Sequence, residues 1–109
     1  MRATLLIAVL AIAAPVLRAD AATPISDLAR NTNAVVVGIV DRLTDEDEFV
    51  LVDSTRSVRV YVGPAFVPVT VGETVTVRGF VDDDLRLEIY ARQITGADGT
   101  THTFDHRYE

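Results

Sequence analysis

Acidic side chains are concentrated in two short segments of this 109-residue chain, residues 45–48 and 82–84. Hard cations such as Ca²⁺ and Mg²⁺ prefer carboxylate oxygens, so four of these aspartates are candidate metal ligands. They are Asp45, Asp47, Asp82 and Asp84. Their spacing does not match the ligand loop of an EF-hand. Solvated loops of an acidic protein explain the same segments, and we favour that interpretation over a metal site.

Two histidines near the C-terminus, His102 and His106, are four residues apart. On a helix their imidazoles would share one face and could hold zinc. Residues 100–104, however, are rich in threonine and favour an extended or frayed tail. We therefore do not expect a zinc site there, and the role of this tail stays open.

No group of residues in the sequence matches a catalytic site. Hydrolysis by a serine nucleophile requires a serine, a histidine and an acid in contact. Ser26, Ser54 and Ser57 lie in predicted caps or turns, and both histidines lie beyond the predicted strands. The absence of cysteine excludes thiol nucleophiles, thiolate zinc sites and disulfides. We predict that the protein is not an enzyme and carries no cofactor.

An arginine and a tyrosine alternate with valines between residues 57 and 62, which places Arg59 and Tyr61 on one face of a strand. Two valines of the preceding strand share this outward parity. The predicted ligand-binding residues are therefore Val50, Val52, Arg59 and Tyr61, joined by Val37 and Ile39. Such a face could stack on a sugar or a base. In the alternative interpretation, the outer valines pack beneath the N-terminal helix or the tail.

Strands position these side chains, because apolar residues recur with period two from Ala34 onward. Five strands are predicted, at residues 34–43, 48–53, 57–62, 73–82 and 85–95. A short helix is predicted before them at residues 23–30, with Thr23 as its cap and Pro24 at its first position.

This order of elements predicts an all-β protein, a five-stranded OB-type barrel preceded by the short helix. Two prolines reduce any helix between strands three and four to at most one turn, whose Phe66 would plug the barrel end. Gly38 and Gly79 lie mid-strand at inward positions and predict a bend or a bulge. The ligand face of an OB barrel is formed mainly by strands two and three, and here both loops that rim it are acidic.

The predicted strands also carry a family resemblance. The matching segments are residues 38–42, 49–53, 58–62, 71–82 and 87–94, of which the last begins Leu-Glu-Ile-Tyr. In these segments the chain resembles the bacterial OB-fold family of periplasmic stress-tolerance proteins. The resemblance implies ligand binding or a role in envelope stress rather than catalysis, and it brings no catalytic residues. Arg56 departs from the pattern, because such hairpins often have glycine there, and the tail from Thr100 has no counterpart.

The N-terminal residues have the layout of a secretory signal peptide. Arg2 precedes an apolar run that is too short to span a membrane, and small residues surround a cleavage point after Ala21. The predicted organisation is a signal peptide at 1–21, one OB-fold domain at 22–99 and a tail at 100–109. We expect a periplasmic or secreted protein with no stable membrane span after cleavage.

The charge balance bears on the partner. Residues 22–109 contain eight arginines, no lysine and fifteen acidic residues. An acidic protein repels phosphate backbones, so we do not expect nucleic acid as the partner. The sequence predicts a non-catalytic protein that binds a small molecule, an envelope glycan or a protein segment. The alternatives are a module that binds single-stranded nucleic acid and a metal-binding protein that uses the acidic loops.

Overall fold

The computed structural model describes residues 21–64 and 66–105. They contain one turn of 3₁₀ helix, Ile25–Asp27, and six strands. The strands are β1 (Asn33–Asp45), β2 (Glu48–Val52), β3 (Ser57–Tyr61), β4 (Thr74–Val81), β5 (Glu88–Thr95) and β6 (Thr101–Thr103). The five predicted strands are confirmed, with small shifts at their ends. Within this described part, no helix is long and apolar enough to cross a lipid bilayer.

The strands form one sheet that closes on itself. Its order is β3-β2-β1-β4-β5-β6, and a parallel pairing between β3 and β5 closes the barrel. The long strand β1 pairs with two neighbours in succession: residues 33–39 pair with β4, and residues 39–45 pair with β2. The result is the predicted all-β, five-stranded OB-type barrel.

The core lies inside the barrel and consists of the inward side chains of β1 to β5. Val60 of β3 is fully buried between the half-buried Arg59 and Tyr61, as its predicted alternation requires. Phe49 and Leu51 of β2 are likewise fully buried. The apolar alternation therefore specifies which face of each strand is removed from water.

Two inward glycines allow strands to approach closely. A Cβ atom on Gly38 would lie only 2.5 Å from the carbonyl oxygen of Val52, where β1 changes its partner from β4 to β2. Gly79 lies at a register shift between β4 and β5, which is the bulge predicted at that position. At Gly38 the pairing with β4 is regular, so close approach, and not a bulge, explains the glycine.

The predicted N-terminal helix is shorter than expected. Only Ile25–Asp27 is helical. Thr23 does not cap it, because Pro24 occupies the N-cap position and makes no side-chain cap, while the Thr23 backbone N–H donates to the Val35 carbonyl at 2.8 Å. The β2–β3 turn supplies the acceptors instead. The Ile25 N–H donates to Asp53 Oδ2 at 2.9 Å, and the Ser26 N–H donates to Thr55 Oγ1 at 3.1 Å. These tertiary contacts replace the further helical turn that local propensity favours.

Asp53 organises the β2–β3 turn as well as this attachment. Its Oδ1 accepts hydrogen bonds from the Thr55 hydroxyl and from the backbone N–H groups of Thr55 and Arg56. Partial desolvation raises the pKa of Asp53, but the hydrogen bonds from Thr55, Ile25 and Arg56 outweigh it and lower the pKa to about 2. The carboxylate is therefore ionised at neutral pH, and it fixes the backbone that carries Arg56.

The connection between β3 and β4 does not plug the barrel as predicted. Phe66 is 75% exposed, whereas Val67 and Val69 face the core. The Val67 N–H donates to the Glu46 carbonyl at 2.9 Å, which sets an extended course and turns Phe66 toward solvent. Among the described residues of this connection no helical turn forms.

The sheet continues beyond residue 99, where the predicted tail begins. Thr101–Thr103 form β6, which pairs antiparallel with residues 93–95 of β5. Phe104 follows and packs against the core. His102 lies exposed on this extended strand, so the helical zinc arrangement does not form in residues 100–104. His106 and residues 1–20 of the predicted signal peptide lie outside the described residues.

Candidate ligand-binding face

The outer surface of β2 and β3 brings together two of the predicted binding residues. Val50 pairs with Arg59 across β2 and β3, Arg42 pairs with Val50 from β1, and Glu88 of β5 pairs with Arg59. Residues directly opposite each other share a face, so these four side chains form one outward row. Val50 is only 4% exposed and forms the floor of this row.

A second row carries the aromatic side chains. Tyr61 pairs with Glu48 on one side and with Tyr90 on the other. The two tyrosine rings meet edge to face, with centroids 5.8 Å apart. The Tyr90 hydroxyl donates to Asp82 Oδ2 at 3.1 Å, and burial together with this acidic neighbour raises the pKa of Tyr90. Tyr61, a predicted binding residue, thus forms an ordered aromatic pair with Tyr90.

An exposed apolar strip continues the face toward β1. Val52 pairs with Ile39, and Ile39 and Val37 are 48% and 42% exposed. The alternative in which the outer valines pack beneath another segment does not hold for these β1 side chains within the described residues. All four predicted binding residues and both predicted neighbours therefore lie at outward positions of the sheet. Val50, however, is only 4% exposed, so this one outer valine is covered, as the alternative interpretation expects.

Two carboxyl groups meet beside Arg59. Arg59 Nη1 lies 3.2 Å from Glu48 Oε1, and Glu88 shares a hydrogen bond with Glu48. Burial, followed by the hydrogen bond and negative charge of Glu48, raises the pKa of Glu88 to about 7, although Arg59 opposes the shift. The pair therefore holds a proton at a pH where a free glutamate has lost it.

We expect Glu88→Gln to flatten the dependence of stability on pH. Between the ordinary glutamate pKa of 4.5 and the folded value of about 7, the folded protein binds more protons than the unfolded chain. Its free energy of unfolding must therefore fall as the pH rises through this window. The variant lacks this loss and should be more stable than the wild type at pH 8 by about 1 kcal/mol, after allowance for solvent screening. Urea unfolding at several pH values measures both slopes, and equal slopes would contradict the assignment.

Four arginines surround a small pocket on this face, although the sequence predicts only Arg59 there. The pocket has a volume of about 230 Å³. It is lined by Arg42, Val50, Arg56, Ser57, Val58, Arg59, Arg86 and Leu87. Arg42 faces outward because a register shift separates it from Val40, so its parity is hidden in the sequence. The position of Arg56 in the β2–β3 turn is a signal that sequence reasoning could have used.

The predicted metal ligands are only partly brought together. Asp82 and Asp84 lie with Asp83, and their ligand atoms fall within 4.8 Å of one another. Asp45 and Asp47, in the β1–β2 loop, are not in this group. A hydrogen bond with Asp82 and the nearby negative charges raise the pKa of Asp84. Exposed acidic groups of this kind are common without an ion, and the metal site stays a prediction.

A larger cavity lies elsewhere, on the outer surface of β1, β4, β5 and β6. Its volume is about 610 Å³, and Arg78, Arg92 and Phe104 are among its lining residues. It shares no lining residue with the four-arginine pocket. No residue predicted from the sequence as a binding site lines it.

The closure of five strands through β3 and β5 defines an OB-type barrel, and the face just described corresponds to the ligand face of that fold. Among solved structures, the chain is similar to the hypothetical protein YgiW from E. coli, with a TM-score of 0.59 and 25% sequence identity. The match covers 71% of this chain and 90% of that chain. No protein-family model and no curated protein sequence matches the chain.

Proposed function

We propose that the protein is an exported, non-catalytic binding protein that holds its ligand on the outer face of β2 and β3. The observation that carries this proposal is the combination of side chains on that face. The Tyr61–Tyr90 pair, the exposed apolar strip at Ile39 and the charged row around Arg59 lie side by side. OB barrels use this face for oligosaccharides and oligonucleotides.

The ligand class is a small molecule, an envelope glycan or a protein segment. The basic start, apolar run and small residues up to Ala21 favour export to the periplasm, where such ligands occur. The resemblance of the strands to periplasmic stress-tolerance proteins supports a role in envelope stress. No catalytic role is part of this proposal. His102 pairs with Ile94 at one end of β5, and β3, which begins at Ser57, pairs with the other end. The histidine therefore lies away from the β2–β3 face and cannot act as a base there.

Single-stranded nucleic acid is the rival ligand. The four arginines favour it, but nucleic-acid OB surfaces combine a continuous basic groove with several stacking aromatics. Here both rim loops are acidic, at residues 45–48 and 82–84, and the chain as a whole has a net charge of −6. We therefore propose that nucleic acid is not the partner.

Chemical-shift mapping of the purified protein with soluble glycan fragments, peptides and a single-stranded oligonucleotide tests the proposal. We expect chemical-shift changes at residues of β2 and β3. We expect Tyr61→Ala to lower the affinity for the ligand several-fold, because one aromatic contact contributes about 1 kcal/mol. Gln93→Ala, in the 610 Å³ cavity, is the matched control and should not change the affinity. Thermal unfolding checks that both variants are folded. Shifts confined to the 610 Å³ cavity, or unchanged affinity in Tyr61→Ala, would contradict the proposal.

A further inference from the structure

The four-arginine pocket carries positive charge that the protein itself does not neutralise. Arg42 pairs with Asp41 at 2.7 Å, and Arg59 pairs with Glu48 at 3.2 Å. Arg56 and Arg86 have no hydrogen-bond or ion-pair partner for their guanidinium groups among residues 21–64 and 66–105. Both residues are exposed, so their guanidinium groups are accessible to a ligand that enters the pocket.

The turn that carries Arg56 is held in place without a ligand. The Arg56 N–H donates to Asp53 Oδ1 at 3.0 Å, and the Asp53 N–H donates to the Arg56 carbonyl at 3.1 Å. Because Asp53 is ionised at neutral pH, the first of these bonds is charge-assisted. The backbone at Arg56 is therefore ordered before anything binds.

The loop that carries Arg86 is anchored on both sides. The Arg30 guanidinium donates two hydrogen bonds, each of 2.8 Å, to the carbonyls of Asp84 and Leu85. On the other side, Leu87 is buried in the core. A site whose backbone is already ordered loses little conformational entropy on binding.

The size and the surroundings of the pocket limit what can enter. A volume of about 230 Å³ is smaller than the usual range for drug-sized ligands, but it accommodates one ionic group with part of its carrier. Arg86 also borders a depression lined by Asp84 and Glu88, so carboxylates stand directly beside the pocket. A second and third anionic group on the same ligand would meet these carboxylates.

We propose that this pocket binds a single oxyanion group, a phosphate or a carboxylate, on a ligand that lies across the β2–β3 face. Planar guanidinium groups match both oxyanions through paired N–H donors. Val50 beneath them excludes water from one side of the contact, which strengthens it. The inference rests on the proposed function only in placing the rest of the ligand on that face.

Titration of the purified protein with inorganic phosphate, and separately with acetate, tests the proposal by amide chemical shifts at low salt. We expect the amides of Arg56, Ser57 and Arg86 to shift and to saturate at roughly millimolar anion. Arg56→Gln and Arg86→Gln should each weaken binding about tenfold, as for a lost charge-assisted hydrogen bond. Arg92→Gln removes the same charge from the other cavity and should change affinity less than about twofold.

A preference for phosphate would assign a phosphorylated ligand, and a preference for acetate would assign a carboxylated one; both support the proposal. No saturable shift at about 20 mM of either anion would overturn it, since an isolated site of this charge should fill below that concentration. Equal affinity in the Arg56 and Arg86 variants would also overturn it. So would an oligonucleotide that binds far more tightly than phosphate with a steep salt dependence, because the site would then accept polyanions. Envelope ligands that map to the other cavity would refute the proposed function but leave the phosphate result intact.

Discussion

Val60→Asp is expected to destabilise the protein strongly at neutral pH. Val60 is fully buried at the centre of β3, between β2 and β5, and no cation faces the core, in which every buried side chain is apolar in the described residues. An unpaired carboxylate there should cost about 3–5 kcal/mol. That is a large share of the roughly 5–15 kcal/mol by which a domain is stable. Urea unfolding followed by circular dichroism measures the loss.

Ser57→Asp is the matched control for this variant, because it introduces the same side chain on the same strand at a position that faces outward. Ser57 is exposed at the start of β3. Its outward direction and the neighbouring Arg59 keep the new carboxylate hydrated and near positive charge, so stability should change by less than about 0.5 kcal/mol. If the two variants lost equal stability, the assignment of inward and outward faces on β3 would be wrong.

The strands could be predicted because their signal is local. In β3 and β4, β-branched residues alternate with polar ones, and a half-buried strand needs only that period of two. The helix at residues 23–30 could not be judged in the same way. Its first N–H groups find acceptors on Asp53 and Thr55, 28 and 29 residues away, and no local pattern shows this. The prediction for Phe66 is wrong for a similar reason, since the hydrogen bond from its neighbour to Glu46 sets its direction.

The candidate site was predictable along each strand but not across strands. The outward parity of Arg59 and Tyr61 follows from their alternation with valines. The position of Glu88 and Tyr90 beside them depends on the register of the parallel β3–β5 pair. That pair joins segments far apart in the chain, and the sequence of neither strand indicates the register. The four-arginine pocket depends further on a register shift in β1 and on two loops. Net charge alone therefore hides a local patch of the opposite sign.

Gly79→Ala is expected to destabilise the protein by about 3 kcal/mol or more. An added Cβ would overlap the backbone carbonyl oxygen of Tyr90 and lie 2.9 Å from the Cα atom of Ala91. Both atoms belong to the paired backbone of β5, which cannot move away without breaking the β4–β5 ladder. In an unhindered position the same change stabilises a protein by about 0.4–1 kcal/mol, because alanine restricts the unfolded chain. The sign of the change in unfolding free energy is therefore itself diagnostic.

Gly96→Ala separates this backbone clash from the general effect of replacing glycine. The Cβ atom of that variant would approach Glu73 Oε2 at 2.7 Å. That carboxylate accepts hydrogen bonds from the Ala97 and Thr70 backbone N–H groups, but both are exposed, so water can replace them when the side chain moves, and no strand has to shift. We expect Gly96→Ala to change the free energy of unfolding by less than about 1 kcal/mol. Urea unfolding of both variants gives the comparison. A Gly79→Ala protein as stable as Gly96→Ala would contradict the close approach of β4 and β5 at this bulge.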